Sequence, residues 1–245
     1  LGNFNNLARK IANTFWPGPI SIVVTRQREC PVSLLASAGQ DTLAIRVPAH
    51  DTAQAILRAV ERPIAAPSAN ASGKLSPTTA THVRDSIGGA VDLIVDAGAC
   101  SIGLESAVVD CTSDIPVILR PGGITLEQIE KVVGRVDMVN MDSGKIRSPG
   151  MLDSHYAPEA TVRLNATSVR ADEALLTFGP RGIRGAVIES SLSIDGDLEE
   201  AATNLFSMLR ALDTKASHIA VMPIPEKGLG RAINDRLRRA AAPRN

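Results

Sequence analysis

The segment that most suggests chemistry is residues 67–78, which contains three serines, a threonine, an asparagine and a glycine. It follows a short apolar run at residues 63–66 and precedes a predicted helix. Such a loop can turn backbone N–H groups and the hydroxyls of Ser68, Ser72 and Ser76 toward one anion. The N-terminus of the following helix adds a positive dipole end. The pattern predicts a phosphate-binding loop, although an ordinary surface turn has the same composition.

Two arginines at predicted strands also suggest an anionic ligand. Arg46 lies in the predicted strand 42–47, where alternation places Thr42 on the same face, and Arg120 ends the predicted strand 116–119. An arginine inside an apolar strand needs an anionic partner, because an unpaired buried charge is costly. Each arginine could form a structural salt bridge instead. Together with the serine-rich loop, they suit a ligand that carries a carboxylate and phosphates.

Other common chemical motifs are missing from the sequence. Lys74 follows a glycine but precedes Leu75 instead of serine or threonine, so no nucleotide-binding P-loop forms there. The four histidines are scattered without an HExxH pattern, which argues against a His/Cys metal site. No serine lies in a GxSxG turn, and 228–230 lacks the third glycine of a dinucleotide fingerprint. We expect neither a covalent nucleophile nor a protein metal ligand.

Composition narrows the class of protein further. The 245 residues suggest one or two domains, and 44% of them are hydrophobic, as in ordinary globular proteins. Zero net charge and 2% aromatic residues argue against a protein that holds nucleic acid by bulk electrostatics and stacking. The three cysteines form no CxxC pair, which favours a reducing, cytoplasmic compartment. We expect no membrane span.

The elements that must position these residues alternate between helical and strand periods, which is typical of an α/β protein. We predict a first domain at 1–140, a linker at 141–160 and a small C-terminal βα domain at 161–245. Predicted helices cover residues 3–15, 51–60, 79–87, 125–133, 197–212 and 229–241. Asp51 is the predicted N-cap of the second helix, and residues 125–128 have the form of a capping box that opens the fourth. Predicted strands cover residues 20–24, 42–47, 63–66, 91–95, 107–110, 116–119, 174–178, 186–188 and 218–222.

Several segments, taken in order, resemble the two-domain members of the YrdC family, which are L-threonylcarbamoyladenylate synthases. The matching segments are residues 15–20 (FWPGPI), 45–50 (IRVPAH), 66–73 (APSANASG), 105–110 (ESAVVD), 118–124 (ILRPGGI), 148–158 (SPGMLDSHYAP) and 228–237 (GLGRAINDRL). The resemblance implies a YrdC-like twisted mixed sheet with helices, joined by a lid-like linker to a small Rossmann-like βα domain.

The resemblance also implies a reaction and a set of site residues. The family joins L-threonine, bicarbonate and ATP into threonylcarbamoyl-AMP and releases pyrophosphate, and Mg²⁺ accompanies the ATP. A separate transfer complex then uses the product to modify tRNA, and direct tRNA contact is expected to be weak. Carried over by position, Arg46, Ala66 and Ser106 hold threonine. The positions carried over for ATP are Thr42, Ser68, Asn70, Ser76, Arg120 and Tyr156, with Tyr156 acting from the linker as part of a lid.

The sequence departs from the family pattern at its beginning. The family's Thr-Glu-Thr-Val-Tyr-Gly stretch, its Lys-x-Arg motif and a histidine-bearing strand do not occur before Leu1. In the family the Lys and Arg form a tetrad with the Ser and Asn matched here by Ser68 and Asn70. We therefore expect an N-terminally truncated fragment whose own activity is uncertain.

Two other functions are compatible with the YrdC fold. One is a double-stranded RNA- or tRNA-binding module without catalysis, since the C-terminal segment carries several arginines, including Arg236, Arg238 and Arg239. Those arginines equally fit the solvated face of an amphipathic helix. The other is a carbamoyltransferase of hydrogenase maturation, which would require zinc-finger cysteines and an acylphosphatase-like segment that the sequence lacks.

Overall fold

A computed structural model describes residues 1–139 and 156–243. The chain divides into two compact units that do not follow chain order. The first unit consists of residues 1–67 with the described part of 105–151, and the second of residues 68–104 with the described part of 152–245. The predicted phosphate-binding loop therefore belongs to the same unit as the C-terminal half. The domain boundaries at 140 and 160 stay predictions.

The first unit contains a mixed sheet of six strands in the order β1-β2-β4-β5-β6, with β3 also paired to β2. Parallel pairing joins β2 to β4 and β5 to β6, and the other pairs are antiparallel. This agrees with the predicted mixed sheet. The strands are β1 (Gly2–Asn3), β2 (Ile20–Arg26), β3 (Thr42–Ile45), β4 (Ala107–Asp110), β5 (Val117–Arg120) and β6 (Asp137–Met138).

The helices begin and end largely where cap residues and apolar stripes predict. They are α1 (Asn6–Phe15), α2 (Asp51–Val60), α3 (Ala80–Ile87), α4 (Leu126–Val133), α5 (Leu198–Asp213) and α6 (Leu229–Ala241). The predicted capping box of α4 is confirmed, with Thr125 and Gln128 each bonding the other's backbone N–H. In the first unit Ile11 of α1 and Ile129 of α4 are fully buried in one apolar cluster with Ile22.

The second unit contains a four-stranded parallel sheet in the order β7-β10-β8-β9. Its strands are β7 (Thr161–Arg163), β8 (Ala174–Thr177), β9 (Ile188–Ser191) and β10 (His218–Val221). Parallel pairing is what the βα alternation predicts; the closer Rossmann-like likeness stays a prediction. The apolar stripe of α5 is buried as expected, in a cluster that also contains Leu75 and Tyr156.

Three local predictions are wrong. Residues 63–66 and 91–95 are apolar but form no strand, because no described strand pairs with them, and Ile64 and Leu93 are exposed. A strand is defined by its partner's hydrogen bonds, which an apolar run alone does not supply. The cap of α2 is His50 instead of Asp51, which is the first helical residue.

Candidate functional site

Ser106 and Arg120 form the core of a hydrogen-bonded cluster in the first unit. Ser106 directly precedes β4, and Arg120 is the last residue of the antiparallel neighbour β5. The Arg120 guanidinium donates to the Ser106 carbonyl oxygen from Nη2 at 2.9 Å and from Nε at 3.3 Å. The hydroxyls of Ser106 and Ser21 lie 2.9 Å apart. The structure thus brings together a predicted threonine-binding residue, a predicted ATP-binding residue and Ser21, which sequence reasoning missed.

Backbone contacts on both sides fix the position of Ser106. The Ala107 N–H donates to the Pro19 carbonyl oxygen at 3.0 Å, and the Gly123 N–H donates to the Glu105 carbonyl oxygen at 3.2 Å. Gly122 lies so close to the backbone of residues 105–107 that a Cβ would collide with it. The hydroxyl of Ser106 is therefore presented by paired strands and a glycine turn, and the residue is 4% exposed.

Thr42 is the first residue of β3, which pairs with β2, and Arg46 directly follows its last residue, Ile45. The expectation of Arg46 as a buried charge within a strand is wrong, because β3 ends at Ile45 and the Arg46 side chain is exposed. Its backbone is nevertheless held, since the Val47 carbonyl oxygen accepts from the Gly18 N–H at 2.8 Å. Arg46 forms no ion pair within residues 1–139 and 156–243, so the structural salt-bridge alternative finds no support there.

The loop at residues 68–78 belongs to the second unit and contains no helix or strand. Asn70 Nδ2 donates to the carbonyl oxygens of Ala71 at 2.8 Å and Lys74 at 3.1 Å, so this amide shapes the loop. Its Oδ1 is buried and accepts no hydrogen bond from the described residues. Ser68 is exposed, whereas Ser76 is 6% exposed.

Several backbone N–H groups of this loop are engaged within the protein. The Ala71 N–H donates to the Ser86 hydroxyl at 3.0 Å, and the Thr78 N–H donates to His82 Nδ1 at 3.2 Å. At the start of α3 the Thr79 hydroxyl accepts from the His82 N–H, which satisfies one donor of the first turn. The Ala71 and Thr78 amides therefore do not contribute to the predicted cradle.

His82 and Arg210 supply the basic groups next to the loop. Burial and the neighbouring Arg210 charge lower the pKa of His82, and the Asp85 carboxylate opposes that shift. Burial likewise lowers the pKa of Arg210, against the opposing charges of Asp213 and Asp85. At neutral pH His82 is therefore an acceptor for the Thr78 N–H, and Arg210 is the positive charge.

Tyr156 is buried in the second unit, with 1% of its surface exposed. Its ring lies 5.4 Å from the ring of Phe206, and the Arg236 guanidinium carbon lies 5.3 Å from its centroid. Contact between Tyr156 and ATP stays a prediction, and residues 148–155 of the predicted lid lie outside the described part of the chain. Ala66, predicted to touch threonine, is exposed in the unpaired segment 63–66 of the first unit.

The predicted site residues are divided between the two units. Thr42, Arg46, Ala66, Ser106 and Arg120 lie in the first, and Ser68, Asn70, Ser76 and Tyr156 lie in the second. Within the described residues no group of three or more His, Cys, Asp or Glu side chains could hold a metal ion. No described helix is both long enough and apolar enough to cross a bilayer.

Both halves of the chain match known protein families. Residues 2–122 match the Sua5/YciO/YrdC family, described as telomere recombination, and residues 124–242 match the C-terminal domain of threonylcarbamoyl-AMP synthase. Together the matches define a two-domain α/β protein of the YrdC type with a Sua5 C-terminal domain.

Curated relatives give the more specific identification. The chain is 41% identical to the threonylcarbamoyl-AMP synthase of Pyrococcus abyssi and 38% identical to that of Bacillus subtilis, covering 73% of each. These alignments take in 96% and 97% of the chain, respectively. The crystal structure of P. abyssi Sua5 complexed with L-threonine superposes with a TM-score of 0.87 at 37% identity, over 98% of this chain and 75% of that one. The chain belongs to the threonylcarbamoyl-AMP synthase family, which confirms the resemblance seen in the sequence.

Proposed function

We propose that the protein forms threonylcarbamoyl-AMP and pyrophosphate from L-threonine, bicarbonate and ATP, as a nucleotidyltransferase. The observation that carries this proposal is the cluster of Arg120, Ser106 and Ser21 in a fold that matches a threonine-bound relative. A guanidinium beside two hydroxyls on paired strands suits a small hydroxy acid and a phosphate. The chain covers 75% of that relative.

The proposed chemistry needs positioning and charge neutralisation more than a protein nucleophile. The threonine amine attacks bicarbonate, water leaves, and a carbamate forms. A carbamate oxygen then attacks the α-phosphorus of ATP, and the bond to pyrophosphate breaks. Mg²⁺ accompanying the triphosphate would be held mainly by phosphate oxygens and water, and would neutralise part of the phosphate charge. The protein's task is to hold the reactants in line and stabilise phosphate charge.

Two groups of residues divide this task in our proposal. Arg46, Ala66 and Ser106 hold threonine, with Arg46 as the exposed cation for its carboxylate. The positions proposed for ATP are Thr42, Ser68, Asn70, Ser76, Arg120 and Tyr156. Since both amide hydrogens of Asn70 are donated within the loop, its part in ATP binding falls to Oδ1. That atom can accept from a ribose hydroxyl or from water on Mg²⁺.

The RNA-binding alternative loses part of its basis in the described residues. Arg236 and Arg239 were predicted to be solvated, but they are 0% and 3% exposed, and both bond Asp235. Arg238 is exposed and pairs with Glu226. We therefore propose that the protein passes its product to the separate transfer complex, which modifies tRNA, and that this occurs in the cytoplasm, where ATP and tRNA are available.

Pyrophosphate release by the full natural protein tests the reaction. Release should require ATP, L-threonine and bicarbonate together, because the carbamate is the attacking species. Matched reactions without threonine, or with D-threonine, control for plain ATP hydrolysis. Equal release in the absence of threonine would overturn the proposal.

A further inference from the structure

One face of α5 contacts the predicted ATP-binding loop and its neighbours at four places. Thr203, Phe206, Arg210 and Asp213 are spaced three or four residues apart, so they lie along one side of the helix. Phe206 belongs to the buried cluster that also contains Leu205 and Leu209 of α5. Thr203 is exposed, and Arg210 and Asp213 are half-buried.

Arg210 contacts the loop itself. Its Nη2 donates to the Leu75 carbonyl oxygen at 2.5 Å, across 135 positions of sequence. Leu75 is 3% exposed and belongs to the same apolar cluster as the core of α5. A charged donor on a carbonyl in a desolvated place is a strong hydrogen bond, so Arg210 fixes the backbone between Asn70 and Ser76.

A short strap at residues 156–160 holds the other side of the loop. The Ala157 N–H donates to the Gly73 carbonyl oxygen at 2.8 Å, and Lys74 forms an ion pair with Glu159. Asp213 in turn accepts from the backbone N–H groups of Glu159 at 3.0 Å and Ala160 at 2.7 Å. The strap is therefore fixed by the same face of α5.

The beginning of the strap has the geometry of a fixed anchor. Tyr156 adopts a φ of +60°, a left-handed conformation that a non-glycine residue keeps only where the surroundings impose it. Its ring is held between Phe206 and Arg236. At the other end of the face, the Thr203 hydroxyl lies 3.0 Å from the Glu199 carbonyl oxygen of its own helix and 3.3 Å from the Ser101 carbonyl oxygen, either of which can accept its hydrogen. Gly103 nearby abuts the helix backbone.

We propose that Arg210 is a positioning residue for ATP binding: from the C-terminal domain, it holds the loop that carries Ser68, Asn70 and Ser76 in its binding shape. This inference rests on the proposed function for its ligand, but the contact itself does not. Under this proposal the C-terminal domain has a direct role in the nucleotide site. The loop has no secondary structure of its own, and α5 and the strap hold it in place.

The test compares Arg210→Ala and Arg210→Lys with Arg238→Ala in the full natural protein. Arg238 is an exposed arginine of the same unit whose partner is Glu226. Binding of Mg-ATP and of L-threonine is measured separately by calorimetry, and backbone hydrogen exchange is followed by mass spectrometry. Arg210→Ala should weaken ATP binding about tenfold or more and leave threonine binding within twofold. Arg210→Lys should fall between it and the wild type, and Arg238→Ala should match the wild type.

Hydrogen exchange separates positioning from general destabilisation. In Arg210→Ala, exchange should accelerate in peptides from residues 68–78 and stay unchanged in the β8 strand at 174–177. The inference would be overturned if Arg210→Ala changed neither hydrogen exchange in the loop nor ATP binding. It would also be overturned if exchange accelerated equally in the loop and in β8 while threonine binding weakened as well. If the wild-type protein binds no Mg-ATP, the proposed function fails, and loop exchange alone still decides whether Arg210 holds the loop.

Discussion

Ser106 and Ser76 are both predicted to bind substrate and both are buried, yet they are held in place by different means. Ser106 stands beside paired strands, and its neighbours Glu105 and Ala107 bond the adjacent turns of the first unit. Ser76 stands in a loop without secondary structure, where Arg210 of α5 donates to the carbonyl oxygen of the adjacent Leu75.

The difference lies in where the order comes from. A residue next to a sheet inherits its position from hydrogen bonds that the sheet makes in any case. The conformation of a loop without secondary structure depends on contacts with residues distant in sequence, and it is lost when those contacts are removed. Substitutions in the C-terminal domain should therefore disturb the loop and leave the Ser106 cluster intact.

The largest expected effect is that of Asp235→Ala. Asp235 is 4% exposed and accepts from Arg236 Nη1 at 2.6 Å and from Arg239 Nε at 3.2 Å. Without this carboxylate two buried guanidinium groups lose the negative charge that Asp235 places beside them, which should cost about 3–5 kcal/mol in the free energy of unfolding. Urea denaturation measures the loss.

Glu226→Ala is the matched control, since its partner Arg238 is exposed and the pair should contribute less than about 1 kcal/mol. Because Arg236 lies against Tyr156, Asp235→Ala should also accelerate hydrogen exchange at residues 68–78. Equal stability of the two variants would refute the view that buried charge anchors the strap.

Arg46→Ala addresses the sheet side of the comparison. The Arg46 side chain is exposed while its backbone is held, so its loss should leave the unfolding free energy within about 0.5 kcal/mol. If it pairs with the threonine carboxylate, threonine binding should weaken by about 1.5–3 kcal/mol and ATP binding should change much less. Calorimetry gives both, with the exposed Arg58→Ala as control. A loss in ATP binding as large as that in threonine binding would contradict the division of roles.

Gly122→Ala tests whether the glycine turn sets the Ser106 cluster. An added Cβ would collide with the backbone of residues 105–107, and relieving that collision should cost about 1–3 kcal/mol and weaken threonine binding. Gly89→Ala is the control, because its added Cβ meets nothing within 4 Å. Thermal unfolding and threonine titration measure the two effects. Wild-type threonine affinity in Gly122→Ala would show that the turn does not position Ser106.

The elements that could be predicted from the sequence are those whose signals lie in neighbouring residues. The apolar stripe of α5 and the capping box of α4 depend only on neighbouring residues, and both are found as predicted. The runs at 63–66 and 91–95 carry the same apolar signal, but a strand requires a partner, which no run specifies by itself. The two-residue strands β1 and β6 were missed for the same reason.

The candidate site divides in the same way. Motif resemblance placed Ser106 and Arg120, and the pairing of β4 with β5 then brings them together. Ser21 could have been suspected as a lone hydroxyl in an apolar strand. Arg210 had no such signal, because its partner is the carbonyl oxygen of Leu75, 135 positions away, and any residue has a carbonyl.

The smallest expected effect is that of Glu173→Gln, which destabilises the second unit without touching α5. Glu173 is 2% exposed, and its oxygens accept from Arg163 Nε at 2.8 Å and Nη2 at 2.6 Å. The bond from Arg163 holds the pKa of this carboxyl at about 2, below its ordinary 4.5, and burial opposes that shift. A lowered folded-state pKa means that the charged form stabilises the fold above about pH 4.5, and that this stability is lost as the pH falls toward 2. Glu173→Gln should therefore cost about 1–2 kcal/mol at pH 7 and progressively less below pH 4.5 in urea denaturation.

At pH 7 the amide hydrogens of residues 68–78 in Glu173→Gln should exchange no faster than in the wild type, because the α5 face is intact. Loop exchange as fast as in Asp235→Ala would show that the loop responds to any weakening of the second unit, and the contrast between loop and sheet would then lose its specific link to α5.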